Sequence, residues 1–180
     1  MAASFNNSNL YIATQDQLLY YKDSESDAQR LKLSDDSLID LNTISALHAN
    51  GNYLIIGFKS GQIKTYSIDH ENQSLEFVFS QNEHFGDITS IYFDETHKAL
   101  YTSGIDNRLF RYDFRLQDNN FEEYFSKIST PKEPITIMEC YTNSMGKPMI
   151  LSVHDQKYLL SWYVHNIDMV KAIKNIVTKK

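Results

Sequence analysis

Short apolar runs separated by polar turns recur along the whole chain. The plainest instance lies in the middle. Ile88, Ile91 and Phe93 lead into the polar turn Asp94-Glu95-Thr96-His97, and Leu100-Tyr101-Thr102 runs into Ser103-Gly104. Ile105-Asp106-Asn107 turns again, and Leu109-Phe110-Arg111-Tyr112 alternates as a strand with one buried face. The same order appears on both sides. Asn9–Thr14 and Gln17–Tyr21 are predicted strands joined at Gln15-Asp16, Lys22–Ala28 is a polar turn, and Gln29–Leu33 is a third strand. After the acidic loop Ser34–Asp40, Ile44 and Leu47 repeat the spacing of Ile88 and Ile91. Ala49-Asn50-Gly51-Asn52 turns the chain into the strand Tyr53–Phe58, Ser60-Gly61 turns it into Gln62–Ile68, and Leu75–Ser80 alternates as a fourth strand. Glu122–Ile128 is predicted to close the central unit. Beyond Pro131-Lys132-Glu133-Pro134, Ile135, Met138 and Cys140 repeat the first-strand pattern, with strands at Met149–Val153 and Lys157–Val164.

The aromatic residues Tyr21, Tyr66, Tyr112 and Trp162 anchor these units at intervals of 45, 46 and 50 residues. Several short strands per repeat at such a period predict an all-β propeller and argue against a non-repeating sandwich. The units are approximately 1–40, 41–83, 84–130 and 131–166. Residues 167–180 break the pattern. Met169/Val170, Ile173 and Ile176/Val177 fall at helical spacing, and Lys171, Lys174, Lys179 and Lys180 make the end basic. A short amphipathic C-terminal helix is the favoured reading, with a fourth strand of the last unit and a handle for a partner as the competing ones.

The stretch His84–Asp113 resembles one unit of the WD-repeat β-propeller family. A His opens the unit, an apolar-x-x-apolar-x-aromatic strand begins four residues later, and a strand of small residues follows. An Asp then sits in a turn, with an aromatic six residues after it and an acid beside that aromatic. These places are held by His84, Ile88, Ile91, Phe93, Thr102, Asp106, Tyr112 and Asp113. Glu83 stands where the family has Gly, and Tyr112 where it usually has Trp. The resemblance implies a structural tetrad: Asp106 orients His84, whose far nitrogen meets the Thr102 hydroxyl, which faces Tyr112. A buried carboxylate and imidazole each require a partner in any fold, and a connected network fixes one geometry. His84, Asp106 and a hydroxyl also suggest a hydrolytic triad, but triads are recognised by geometry, and this spacing already has a structural account. Ser60 occupies the Asp106 place in the second unit and no His precedes Ile44 at the matching distance, so that unit is expected to lack the network.

Composition narrows the function. The chain has 180 residues, 42% of them hydrophobic, and a net charge of −6, which argues against gripping nucleic acid through a basic face. A single cysteine, Cys140, excludes an internal disulfide framework and fits the reducing cytoplasm or nucleus. No apolar run reaches membrane-spanning length, and the first residues lack the pattern of a signal peptide. The six histidines show no paired metal-ligand spacing, and Gly57–Thr65 lacks the lysine placement of a phosphate-binding loop, so neither metal, cofactor nor catalytic constellation is expected. The reading is a non-catalytic scaffold or adaptor that joins other protein subunits in a multisubunit complex. By the resemblance, partners dock at Leu41, Thr43 and Lys59 in the second unit, Phe85, Asp87 and Ile105 in the third, and Lys132 and His154 in the fourth. The family commonly closes rings of about seven blades, so four units imply a partial propeller whose remaining blades come from further sequence, a second copy or a partner subunit. Two other functions are weighed: a nucleic-acid-associated adaptor using the basic C-terminus, and a small-ligand or enzyme site in the channel.

Overall fold

Strand alternation sorts the side chains of each unit into two apolar faces, and stacking those faces builds the molecule. The structure is a computed structural model. It describes residues 2–6, 9–14, 17–22, 27–33, 39–50, 52–95, 98–113, 133–155, 158–163 and 169–174. The first blade is an antiparallel meander of β1 (Ala2–Asn6), β2 (Asn9–Ala13), β3 (Leu18–Lys22) and β4 (Gln29–Arg30). After β5 (Lys32–Leu33) and a 3₁₀ turn at Leu41–Thr43, the second blade comprises β6 (Ile44–Asn50), β7 (Tyr53–Phe58), β8 (Gln62–Asp69) and β9 (Ser74–Asn82). The third contains β10 (Ile88–Asp94), β11 (Ala99–Gly104) and β12 (Leu109–Asp113). The fourth contains β13 (Ile135–Thr142), β14 (Pro148–His154), β15 (Tyr158–Tyr163) and β16 (Met169–Lys174). The predicted strand Glu122–Ile128 lies outside the described residues.

Three apolar clusters join the blades in order. Tyr11, Leu18 and Tyr20 of blade 1 pack against Leu47, Leu54, Ile56 and Tyr66 of blade 2. The other face of blade 2, with Ala46, Ile55, Ile63 and Phe79, meets Ile88, Ile91, Phe93 and Phe110 of blade 3. Tyr101 and Leu109 then meet Met138, Ile150 and Leu160 of blade 4. Hydrogen bonds clamp the same seams. The Ala49 N–H donates to Ser4 Oγ at 2.8 Å, the Phe93 N–H to His48 Nε2 at 3.2 Å, and the Met138 N–H to Ser90 Oγ at 3.1 Å. Asn50 Nδ2 adds a bond to the Phe93 carbonyl at 2.7 Å. The inner strands β1, β6, β10 and β13 wall a channel of about 350 Å³. Consecutive inner strands pack on one another, whereas β13 and β1 share no such packing among the described residues. The arc is open.

Three elements differ from the sequence reading. Ala2–Asn6, whose small and polar residues carry no alternation signal, is the inner strand of blade 1, paired with Asn9–Ala13. The favoured C-terminal helix is overturned: Met169–Lys174 pairs antiparallel with β15, from Tyr158–Lys174 to Trp162–Met169. An isolated helix of this length is marginal in water, while the free edge of β15 offers a row of unpaired backbone groups. The expected third strand Gln29–Leu33 is split. Gln29–Arg30 pairs with β3, Leu31 N–H donates to the Leu18 carbonyl at 3.0 Å, Lys32 N–H donates to the Gln73 carbonyl at 3.0 Å, and β5 runs parallel to the start of β9.

Candidate functional site

In the two central blades, the residues just before the inner strand and the turn between the second and third strands lie at the same end, where Leu41, Lys59 and Asp87 share a cleft. In blade 3 they are tied by a buried network. His84 Nδ1 lies 2.9 Å from Asp106 Oδ1, and its Nε2 lies 2.9 Å from Thr102 Oγ1. A carboxylate only accepts, so Nδ1 carries a proton, and in the neutral ring Nε2 accepts from the Thr102 hydroxyl. Asp106 also accepts the Phe85 N–H at 2.9 Å and the Arg108 N–H at 3.2 Å. Burial alone would push this carboxyl up; the bonds from His84, Phe85 and Arg108 outweigh it and hold the group below the ordinary carboxylate value. Gly104 makes room for the ring, since a Cβ there would stand 2.7 Å from His84 Nδ1.

The structure thus brings His84, Thr102 and Asp106 together. The aromatic position differs from the expectation. Register sets Phe110, not Tyr112, opposite Thr102, and the Phe110 ring packs edge-on against His84 at 4.5 Å. Tyr112 lies opposite Leu100 and joins the seam with blade 2. The His84 side chain is 1% exposed and Thr102 is fully buried, so a substrate has no approach to this hydroxyl and imidazole, and the arrangement does not serve as a hydrolytic triad.

Blade 4 solves the same packing problem with different residues. Ile135 lies opposite His154 as Ile88 lies opposite Gly104, and Met138 lies opposite Ser152 as Ile91 lies opposite Thr102. Here the histidine therefore sits on the strand, in the place that Gly104 leaves empty for His84. His154 Nε2 lies 2.9 Å from Ser152 Oγ, and Nδ1 donates to the Glu133 carbonyl at 3.2 Å. His154 was expected as a partner contact from its place near a turn. It is fully buried instead, and burial lowers its pKa against the opposing pull of Glu133. A serine and a histidine two residues apart share one face of a strand, which is the sequence signal that could have revealed the pair. In blade 2, Asp40 stands four residues before Ile44, the place that His84 holds before Ile88. It accepts the Asn42 N–H at 3.1 Å, and Thr43 Oγ1 donates to its carbonyl at 2.6 Å.

Three of the expected contact residues, Leu41, Lys59 and Asp87, line one cleft of about 400 Å³ beside blade 1. Lys59 Nζ donates to the Asn42 carbonyl at 2.9 Å, and the Lys59 N–H donates to the Thr43 carbonyl at 2.7 Å, so Thr43 supports the rim. Phe85 and Ile105 stand beyond Asp87, 75% and 48% exposed. Their backbones are fixed: Phe85 N–H by Asp106, and Ile105 N–H by the Asp87 carbonyl at 3.0 Å. The Arg108 guanidinium covers the Phe85 ring at 4.5 Å. Lys132 lies outside the described residues. In the channel, Ser4, His48 and Ser90 spend their polar groups on the seams between blades, while Ser45 and Glu139 also line it.

Comparison with solved structures settles the architecture. The chain is similar to a chain of the mitotic checkpoint complex, at 12% identity and a TM-score of 0.71, over 97% of its own length and 50% of that chain. It is similar to Sqt1 of Saccharomyces cerevisiae, at 11% identity and 0.72, over 96% and 47%. It is also similar to the Cps50 (Swd1) β-propeller domain of Myceliophteria thermophila, at 14% and 0.62, over 92% and 57%. The fold is a partial β-propeller. The chain spans about half the length of these propellers, whereas it covers 89% of the computationally designed Ika4 protein, at 14% identity and a TM-score of 0.63. No protein-family model matches the sequence, and neither does any curated protein. Among the described residues no helix is long and apolar enough to cross a membrane, and no group of His, Cys, Asp and Glu is placed to hold a metal ion.

Proposed function

We propose that this chain is a non-catalytic scaffold that holds other proteins on the loop face of its blades, within a cytoplasmic or nuclear complex. The observation that carries the reading is the Phe85–Ile105 pair, two large apolar side chains held out into solvent by backbone bonds to a rigid network. Apolar residues on ordered turns at a rim of Leu41, Lys59 and Asp87 suit a protein surface better than a small molecule. The net charge of −6 gives no support to nucleic acid as the main partner. The open arc supports a second role for a protein partner, covering the faces at which the described blades end. The test is affinity capture with quantitative mass spectrometry on the wild-type chain and on the Phe85→Asp/Ile105→Asp variant, after circular dichroism shows both folded. A defined set of proteins lost only from the variant supports the reading; identical sets from both overturn it.

A further inference from the structure

The first two seams follow one rule, while the third uses Ser90, two residues before the matching Tyr92. Ser4 and His48 hold equivalent positions. Each is followed by a residue, Phe5 or Ala49, whose partner across the sheet lies opposite an aromatic anchor, Tyr21 or Tyr66. In both cases the side chain accepts an N–H from the next blade's inner strand, Ala49 in one seam and Phe93 in the other. The same register places Glu139 at this position in blade 4, since Cys140 lies opposite Ile150 and Ile150 opposite Trp162. Glu139 is exposed, and among the described residues it has no hydrogen-bond partner. Its carboxylate is an acceptor with nothing to accept. On either side of it Ile137 and Tyr141 are 52% and 40% exposed, although Ala46, at the place of Ile137 in blade 2, is buried against blade 3. Blade 1 presents the complementary half. Tyr21 and Leu10 are partly exposed, whereas their equivalents Tyr66, Tyr112, Leu54 and Leu100 are buried beneath the preceding blade. The Phe5 N–H stands where Ala49 and Phe93 donate.

We infer that a second copy of this chain closes the ring, blade 4 of each copy packing on blade 1 of the other, with Glu139 accepting the Phe5 N–H of the other copy. The two bare faces are the two halves of the seam that the chain already makes between its own blades. The chain covers half the length of the mitotic checkpoint complex chain and of Sqt1, so two copies would supply one ring of that length. Related by a twofold axis along the channel, they make two identical junctions and leave neither face bare. The inference rests on the reading that a protein surface covers these faces, and it names that surface.

The experiment is light scattering and native mass spectrometry on the chain at micromolar concentration. The expected species has twice the 20.9 kDa chain mass, with nothing larger. Ile137→Asp and Tyr21→Asp should each be monomeric. Mixed together they should regain a dimer, because one junction then has both faces intact. Glu139→Ala, at an exposed site, keeps the test open if an aspartate variant fails to fold; it should raise the dimer Kd by about a hundredfold, one charge-assisted bond being lost at each of two junctions. A wild-type monomer that unfolds cooperatively overturns both this inference and the idea of a covered face. A monomer that binds hydrophobic dye and melts without cooperativity overturns the second copy alone and assigns the faces to other blades. A dimer that survives both aspartate variants, or a ladder of larger oligomers, overturns the head-to-tail closure.

Discussion

Replacing Asp106 with alanine removes the acceptor on which three donors converge. His84 Nδ1–H is buried within the blade, and the Phe85 and Arg108 N–H groups lie at its surface. The two surface amides regain water, so each loses only the net value of a bond to a charged group. The imidazole has no water to turn to: its side chain is 1% exposed, and leaving such a donor unsatisfied costs about 1–3 kcal/mol. Together the losses come to about 2–4 kcal/mol, a large part of the stability of a small domain. The assay is urea unfolding at neutral pH, followed by far-ultraviolet circular dichroism and by fluorescence. Asp106→Asn serves as the companion variant, since it retains an acceptor oxygen and should lose less. The wild-type midpoint in Asp106→Ala would falsify the claim that this carboxylate holds His84 in place. Equal losses in both variants would show that charge, and not the accepting oxygen, is what counts.

Other predictions follow from the same geometry. Ser60→Ala, at the Asp106 place of blade 2, should change stability by less than about 0.5 kcal/mol, because Ser60 Oγ accepts only the Gln62 N–H of its own turn; a loss equal to that of Asp106→Ala in the same urea assay would contradict this. Burial lowers the pKa of His48 from 6.5 to about 4, and its bare Nε2 accepts the Phe93 N–H. A folded value below the unfolded one gives stability that is fully present above pH 6.5 and is lost as pH falls through about 4, a loss of about 3 kcal/mol at most. His48→Gln keeps an acceptor without titrating, so its melting temperature should fall less than that of the wild type between neutral pH and pH 4.5; parallel curves would remove His48 as the cause. Gly61→Ala should destabilise by more than about 1 kcal/mol in thermal unfolding, because φ is +90° there and the added Cβ would collide with the His84 backbone. An unchanged melting temperature would place that turn elsewhere.

Blades 2 and 3 were legible in the sequence because their strands are long, apolar and flanked by Gly and Asn turns. Tyr53–Phe58, Gln62–Ile68 and Leu75–Ser80, and the strands from Ile88 through Tyr112, lie where the alternation placed them, while Ala49-Asn50, expected in the turn, extends β6. The His84–Thr102–Asp106 network was legible because three residue types recurred at a spacing with a known use. Phe110 was not, since choosing between it and Tyr112 needs the register of β11 against β12. The edges were harder. Ala2–Asn6 becomes a strand only because Asn9–Ala13 offers it an edge, and Met169–Lys174 was read as a helix because alternate and helical spacings coincide over so few residues. His154 shows a different limit: distance from a turn says nothing about which way a strand residue points.

The crossing at residues 29–33 gives the chain an order of assembly. The outer strand of blade 1 is shared: its first half lies on β3, and its second half runs beside Ser74–Leu75, with Lys32 bonded to the Gln73 carbonyl. A growing polypeptide that has reached Leu33 therefore has the residues of its first blade but not the edge that completes it. That edge arrives about forty residues later, when β9 is made. Blade 1 therefore gains this last edge only once blade 2 is made, and the two are expected to be lost together. In hydrogen exchange the amides of β3 and β9 should open together, as one cooperative unit of two blades, while the outer strand of blade 4, which has no strap of this kind among the described residues, opens by itself.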